Sequence, residues 1–234
     1  MKAMVLAAGR GIRLGALTAA RPKALLEIGG VTLLEHVMRR LVAAGVTEAV
    51  INLHHLGELI PPFVERHQRF GLRRVEYSRE PDLLDTGGGL KRAAWFFDDG
   101  RTFLVHNCDV LSDIDLAVLA QAHEAAGALV TLAAKARPTA RALLFDADGR
   151  LVGRRSADGQ DAWVRPPHGR AVALGYCGVH AASPALFGRI TETGAFPLAD
   201  CYLRLAGSGE PILAHRVDHA RWRDCGRPED LRPL

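Results

Sequence analysis

Apolar and polar positions change period several times along this chain, and each change marks an element. An unbroken apolar run over residues 3–8 reads as a strand buried on both faces, and it stops at Gly9. Leu33, Leu34, Val37, Met38, Leu41 and Val42 then recur at helical spacing, with Thr32 placed to cap the helix and Gly45 to end it. Residues 49–53 and 73–77 read as strands. Residues 56–67 read as a helix whose start is displaced or bent by Pro61-Pro62, since neither proline can donate to a helical bond. A polar, glycine-rich passage over 80–89 precedes a helix expected over 90–97. Residues 102–106 are strongly β-type, 116–126 helical, and 129–134 a strand again.

Strands alternating with helices in this way predict a mostly parallel sheet with right-handed crossovers. From Ala140 the alternation gives way to strands at 141–146, 150–154 and 172–180, with Asp148-Gly149 and Asp158-Gly159 as turn markers. This predicts an antiparallel insertion or extension of the sheet. Helices over 184–190 and 197–205, each with proline near its first turn, a strand over 212–217 and a short helix around 228–231 complete the series. The expected class is α/β, Rossmann-like, with a mixed, mostly parallel central sheet flanked by helices and a small antiparallel extension in the C-terminal half. No linker interrupts the 234 residues, so one domain is expected.

Composition adds exclusions. An apolar content of 48% suits a sizeable core, and no stretch reaches the ~20 apolar residues of a membrane span. Arg10 and Arg13 interrupt what could mimic a signal peptide, so a cytoplasmic protein is expected, with no membrane partner. Thirty Lys and Arg against twenty-six Asp and Glu leave a net charge of +4, mixed along the chain rather than gathered into a tail. A nucleic-acid partner is compatible with that net charge but only weakly supported by it, and none is expected. The four cysteines lack zinc or C-x-x-C spacing and are expected to be reduced thiols.

The chemistry concentrates at the end of the first strand. Gly9 and Gly11 let the backbone turn with its amides facing an anion. Arg10, Arg13, Arg21 and Lys23 follow before any acidic residue appears. Alone, Gly9-x-Gly11 is also compatible with a tight turn carrying solvated arginines. It lacks the third glycine of a dinucleotide fingerprint, which disfavours a dinucleotide-dependent oxidoreductase, and it is not a Walker A loop. Asp109, in Asn107-Cys108-Asp109, ends an apolar strand, where ligands of open parallel sheets bind; a turn-forming Asp is the other reading. Asp224 stands in Trp222-Arg223-Asp224-Cys225-Gly226. Asp113 and Asp115 read as loop and helix-start acids, and His54 and His55 as surface or packing residues.

The whole opening pattern, Leu6-Ala-Ala-Gly9-x-Gly11-x-Arg13-Leu14-x-x-Leu17-Thr18-x-x-x-Pro22-Lys23-x-Leu25, resembles the signature of the sugar-1-phosphate nucleotidyltransferases, also called NDP-sugar pyrophosphorylases. Asn107-Cys108-Asp109, the late Trp222–Glu229 segment, Leu84-Asp85-Thr86-Gly87-Gly88-Gly89 and Gly175-Tyr-Cys-Gly178 extend the resemblance over nearly the whole chain in the family's order. It is nearest to the family's short bacterial branch of uridylyl- and guanylyltransferases, without the left-handed β-helix of longer relatives. Departures are Gly15-Ala16 and Ala24 in the loop, Cys108 where glycine is common, and Arg154–Gln160 in place of a Glu-Lys-Pro element.

The resemblance implies the nucleotide-diphospho-sugar transferase fold, with a nucleotide-binding half over about 1–135 and a sugar-binding half over about 136–234. It implies transfer of a nucleoside monophosphate from an NTP, UTP or GTP, to a sugar 1-phosphate, releasing pyrophosphate. Arg13 would stabilise the leaving pyrophosphate, Lys23 would bridge the α-phosphate and the sugar phosphate, and Asp109 and Asp224 would hold Mg²⁺. Leu6, Ala8, Gly9 and Gly11 would line the nucleotide. Asp85, Thr86, Gly87 and Gly88 would pack against its base, and Asn52 would bond base or ribose or else cap its strand. Gly178 and Asp200 would contact the sugar. A homo-oligomer is left open. The departures motivate a second reading, a catalytically weakened nucleotide or NDP-sugar sensor on the same fold.

Overall fold

The computed structural model describes residues 1–232. In chain order its elements are β1 (Lys2–Leu6), β2 (Glu27–Ile28), β3 (Val31–Thr32), α1 (Leu33–Ala43), β4 (Glu48–Leu53), α2 (Ile60–Arg66), β5 (Arg74–Arg79) and α3 (Asp85–Arg92). There follow β6 (Phe103–Asn107), β7 (Val110–Ser112), α4 (Leu116–Ala126), β8 (Val130–Lys135), β9 (Ala142–Phe145), β10 (Leu151–Arg155), β11 (Asp161–Trp163), β12 (Val172–Ala182), α5 (Leu198–Gly207), β13 (Ile212–Arg216) and β14 (Trp222–Asp224).

Ten strands form the main sheet, in the order β11-β10-β9-β12-β6-β1-β4-β5, with β8 also pairing β12 and β13 pairing β8. Strands β5, β4, β1 and β6 are mutually parallel. Because β12 runs against both β6 and β8, β8 and β13 point the same way as β6. The carboxyl ends of β1, β4, β6 and β8 therefore share one edge. The alternation of side chains is read directly into two cores. Ala3, Val5, Ala49 and Ile51 pack with α1 and α2 on one face, while Met4, Val50, Phe103 and Val105 pack with α3 and α5 on the other. No helix among the described residues is long and apolar enough to cross a membrane.

Several boundaries moved for identifiable reasons. The first strand ends at Leu6, two residues early, because the amides of Ala7 and Ala8 leave the ladder for Asn52 Oδ1 at 2.6 and 3.3 Å. Pro61 and Pro62 sit in the first turn of α2, which starts at Ile60 rather than Leu56. The helix expected over 90–97 begins at Asp85, so the three glycines lie inside α3, and it stops at Arg92. Close packing outweighs their low helix propensity. A Cβ on Gly87 would fall 2.2 Å from the Phe196 ring, and one on Gly88 2.4 Å from the Gly194 carbonyl. The stretch 141–182 is an extension of the main sheet, with β11 an added edge strand the hydrophobic pattern did not reveal. Residues 184–189 form a 3₁₀ helix rather than an α-helix.

Candidate active site

The loop after β1 is folded by its own polar groups. Leu14 donates to the Gly11 carbonyl at 2.8 Å, and Gly11 takes φ +65°, a conformation in which a Cβ would also meet the Thr18 methyl at 2.8 Å. The Thr18 hydroxyl sits 3.3 and 3.2 Å from the carbonyls of Gly11 and Gly15, and His55 Nε2 bonds the Thr18 carbonyl at 3.0 Å. Gly15 adopts φ 56°, ψ −126°, which suits glycine alone. Pro22 then leads into a single 3₁₀ turn, Lys23–Leu25, in which Ala24 is buried in the core. The turn directs Lys23 back across the end of β1.

Asp109 and Asp224 are far apart in sequence and meet through a separate two-stranded sheet. β14 pairs antiparallel with β7, placing Asp224 opposite Val110, and the amide of Cys225 donates to the Asp109 carbonyl at 2.8 Å. The segment 222–224 carries too little pattern for a strand to be expected, so this pairing was not foreseen. Burial of the carboxylate, and next the charge of Asp109, hold the Asp224 pKa above its usual value; Lys23 and Arg13 oppose them. Lys23 Nζ lies 2.5 Å from Asp109 Oδ2, with 11% and 31% of the two side chains exposed. Arg13 is exposed overall, yet its guanidinium and Asp224 Oδ1 both lie within 3.0 Å of where a Gly226 Cβ would project. Gly226 leaves room for Arg13 to lie beside Asp224. Leu6, Ala7, Gly9, Lys23, Ala24, Cys108 and Asp109 line a small cleft here, and a Gly9 Cβ would meet nothing within 4 Å.

The remaining expected residues divide sharply. Asn52 is 3% exposed, and both ends of its amide are engaged by the protein. Its oxygen takes the amides of Ala7 and Ala8, and its nitrogen donates to Glu80 Oε1 at 2.7 Å. Glu80 Oε2 in turn accepts from the Leu84 amide at 3.0 Å. Of the two readings of Asn52, these bonds match the structural one: Asn52 joins the loop after β1 to the segment before α3. Glu80 is a buried carboxylate missed in the sequence, where its position in a polar passage suggested solvent. Asp85 accepts from the Thr86 amide, and Thr86 Oγ1 accepts from Leu198 N at the start of α5. Gly87 donates its amide to the Phe196 carbonyl at 2.9 Å. The Cβ directions of Gly87 and Gly88 are therefore closed by protein rather than open to a base.

Gly178 lies in a bulge of β12, at φ +72°, where a Cβ would meet Val110 at 2.8 Å and the Asn107 amide at 3.0 Å. It packs under the Asp109 turn. Asp200 is on the exposed side of α5, 3.0 Å from Arg154 Nη1. Asp115 caps α4 as expected, and Asp113 holds Arg221.

Two carboxylates, two cations and open backbone amides at the carboxyl edge of a parallel sheet can hold a polyphosphate and a hard divalent ion. The oxygen donors fit Mg²⁺. Among the described residues no group of three or more His, Cys, Asp or Glu could hold a metal alone, so phosphate oxygens or water would complete the shell.

Comparison with known proteins agrees with this chemistry. The family profile described as Nucleotidyl transferase matches residues 2–145. The chain is 33% identical over 239 residues to the N-acetylmuramate α-1-phosphate uridylyltransferase of Caulobacter vibrioides, covering 97% of this chain and 92% of that protein. It is 30% identical to the UTP–glucose-1-phosphate uridylyltransferase of Synechocystis sp., covering 98% of this chain but 61% of that protein. Among solved structures, a UTP-bound UGPase from Acinetobacter baumannii superposes with a TM-score of 0.79 at 18% identity, over 98% of this chain and 90% of that one. The inositol-1-phosphate CTP transferase from T. maritima superposes with a TM-score of 0.75 at 16% identity, over 98% and 90%.

Proposed function

Because the chain belongs to the nucleotidyl transferase family, we propose that it transfers a nucleoside monophosphate from an NTP to a sugar 1-phosphate. The products are an NDP-sugar and pyrophosphate. The observation that carries this reading is the meeting of Asp109 and Asp224 beside Lys23 and Arg13 at the sheet edge. UTP is the favoured nucleotide, since a relative that aligns over 92% of its own length is a uridylyltransferase.

A sugar phosphate oxygen is already anionic at neutral pH, so the reaction needs no strong general base. That oxygen forms a bond to the α-phosphorus as the bond to the β-phosphate oxygen breaks. The task of the protein is to hold two anions together and in line. Asp109 and Asp224 would hold Mg²⁺, which when bound would offset phosphate charge. Lys23 leaves Asp109 to reach the α-phosphate and the sugar phosphate. Arg13, beside Asp224, would face the pyrophosphate as it departs. The amides of Gly9 and Gly11, with Leu6 and Ala8, receive the triphosphate, and Asn52 fixes the adjoining backbone. In this reading the segment from Asp85 to Gly88 would border the base through atoms other than the closed Cβ faces of Gly87 and Gly88, and Gly178 and Asp200 would stand on the sugar side.

A screen of four NTPs against a panel of sugar 1-phosphates with Mg²⁺, read by pyrophosphate release, tests the proposal. UTP with an amino-sugar phosphate is expected to respond. Binding of nucleotide without pyrophosphate from any pair would make the protein a sensor.

A further inference from the structure

Arg137 follows the carboxyl end of β8, on the same edge as Asp109. Its guanidinium lies 4.0 Å from the centre of the Trp222 ring, and Nη2 donates to the Tyr176 carbonyl at 2.9 Å. The group also lies close against β12: a Cβ on Gly175 would fall 2.7 Å from Nε and 2.8 Å from Cζ. The guanidinium thus touches both the indole and β12, with Nε buried and unpartnered. An orphaned donor is costly, so the stacking geometry is being kept at some expense to hydrogen bonding.

Trp222 passes the constraint on. Its Nε1 donates at 2.8 Å to the carbonyl of Cys177, which the β12 bulge exposes. Trp222 is the first residue of β14 and Asp224 the third, so their side chains project from the same face of a three-residue strand. A strand this short has few ladder bonds to fix its tilt, and the indole is its largest lever.

We propose that Arg137 is a positioning residue for Asp224, clamping Trp222 against β12 so that β14 presents its carboxylate at a fixed place beside Asp109. The proposal rests on the two-carboxylate reading of the site. A planar guanidinium can stack and reach the Tyr176 carbonyl together, which an ammonium cannot. Supporting groups of this kind set metal affinity, typically by about ten- to a hundredfold.

Wild type, Arg137→Ala and Arg137→Lys are compared in three measurements. The first is the Mn²⁺ concentration for half-maximal binding at fixed UTP, by electron paramagnetic resonance. The second is the metal requirement and nucleotide KM of pyrophosphate release. The third is Trp222 fluorescence in a Trp95→Phe, Trp163→Phe background. Arg137→Ala is expected to raise both metal concentrations about tenfold, leave the nucleotide KM at saturating metal within about twofold, and change Trp222 emission. Arg137→Lys is expected to lie between it and wild type, and it decides the matter if the alanine variant does not fold. Unchanged metal affinity alongside altered Trp222 emission overturns the proposal, as does a defect confined to the sugar phosphate KM. Wild type that binds Mn²⁺ with UTP but releases no pyrophosphate would defeat the transferase reading while leaving the binding and fluorescence arms to judge Arg137.

Discussion

Lys23 is paired with Asp109, and this makes an unusual prediction: removing a lysine proposed to be catalytic should improve metal binding. For a divalent ion to reach Asp109 in the absence of nucleotide, the 2.5 Å contact must first break. A charge-assisted hydrogen bond contributes about 1.5–3 kcal/mol, or roughly ten- to a hundredfold in affinity. Asp109 is 31% exposed, so solvent screens part of this and the lower figure applies. Lys23→Met keeps the length of the side chain and deletes the charge. Titration of the nucleotide-free variant with Mn²⁺ should show roughly tenfold tighter binding than wild type. Pyrophosphate release should meanwhile fall by on the order of a hundredfold or more, since Lys23 is the cation proposed to bridge the two phosphates. With nucleotide bound, the difference in metal affinity should shrink, because Lys23 of the wild type has by then moved to phosphate. Equal or weaker nucleotide-free Mn²⁺ binding by the variant would refute the argument that Lys23 and the metal compete for Asp109.

Three further outcomes are expected. Arg13→Ala or Asp109→Asn should lower turnover about a hundredfold or more, the effect of losing one preorganised charge, ~3 kcal/mol; near-normal pyrophosphate release would remove the residue from the mechanism. Asn52→Ala leaves the buried amides of Ala7 and Ala8 and one oxygen of Glu80 without partners. It should therefore cost about 1–3 kcal/mol in urea unfolding and raise the nucleotide KM, whereas a purely base-reading Asn52 would leave stability untouched. Asp224 has a folded pKa raised by burial and by Asp109, so its stabilising contribution is complete below the usual carboxylate range and is lost as pH rises through the folded value. With a chelator present, Asp224→Asn should then melt slightly above wild type at neutral pH. That gap should close as the pH falls below about 4; a lower Tm at neutral pH would contradict the assigned repulsion.

The centre of the sheet was legible because β1, β4, β6 and β8 are buried on both faces, and the loop after β1 because glycines and cations cluster without acids. Asp115 and Thr32 were readable as caps from their positions alone. What escaped was decided by tertiary contact. The glycines of 87–89 look like a loop until Phe196 and the Gly194 carbonyl are placed against them. Glu80 looks solvated until Asn52 and the Leu84 amide surround it. β14 has three residues, too few for any period, and owes its shape to β7. Arg137 reads as one more surface arginine, because its partner Trp222 lies on another strand.

The β7–β14 pair also sets a timetable. A chain emerging from the ribosome amino end first completes its phosphate loop, Lys23 and Asp109 well before Trp222–Asp224 has been synthesised. Until that last strand docks, Asp109 would lack Asp224 as a partner carboxylate while its pairing with Lys23 could already form. An unfinished chain would thus hold the parts of a nucleotide-cleaving centre in a state unable to use them. Activity would begin at docking, so a chain cut short before residue 224 should be silent rather than a wasteful consumer of nucleotide.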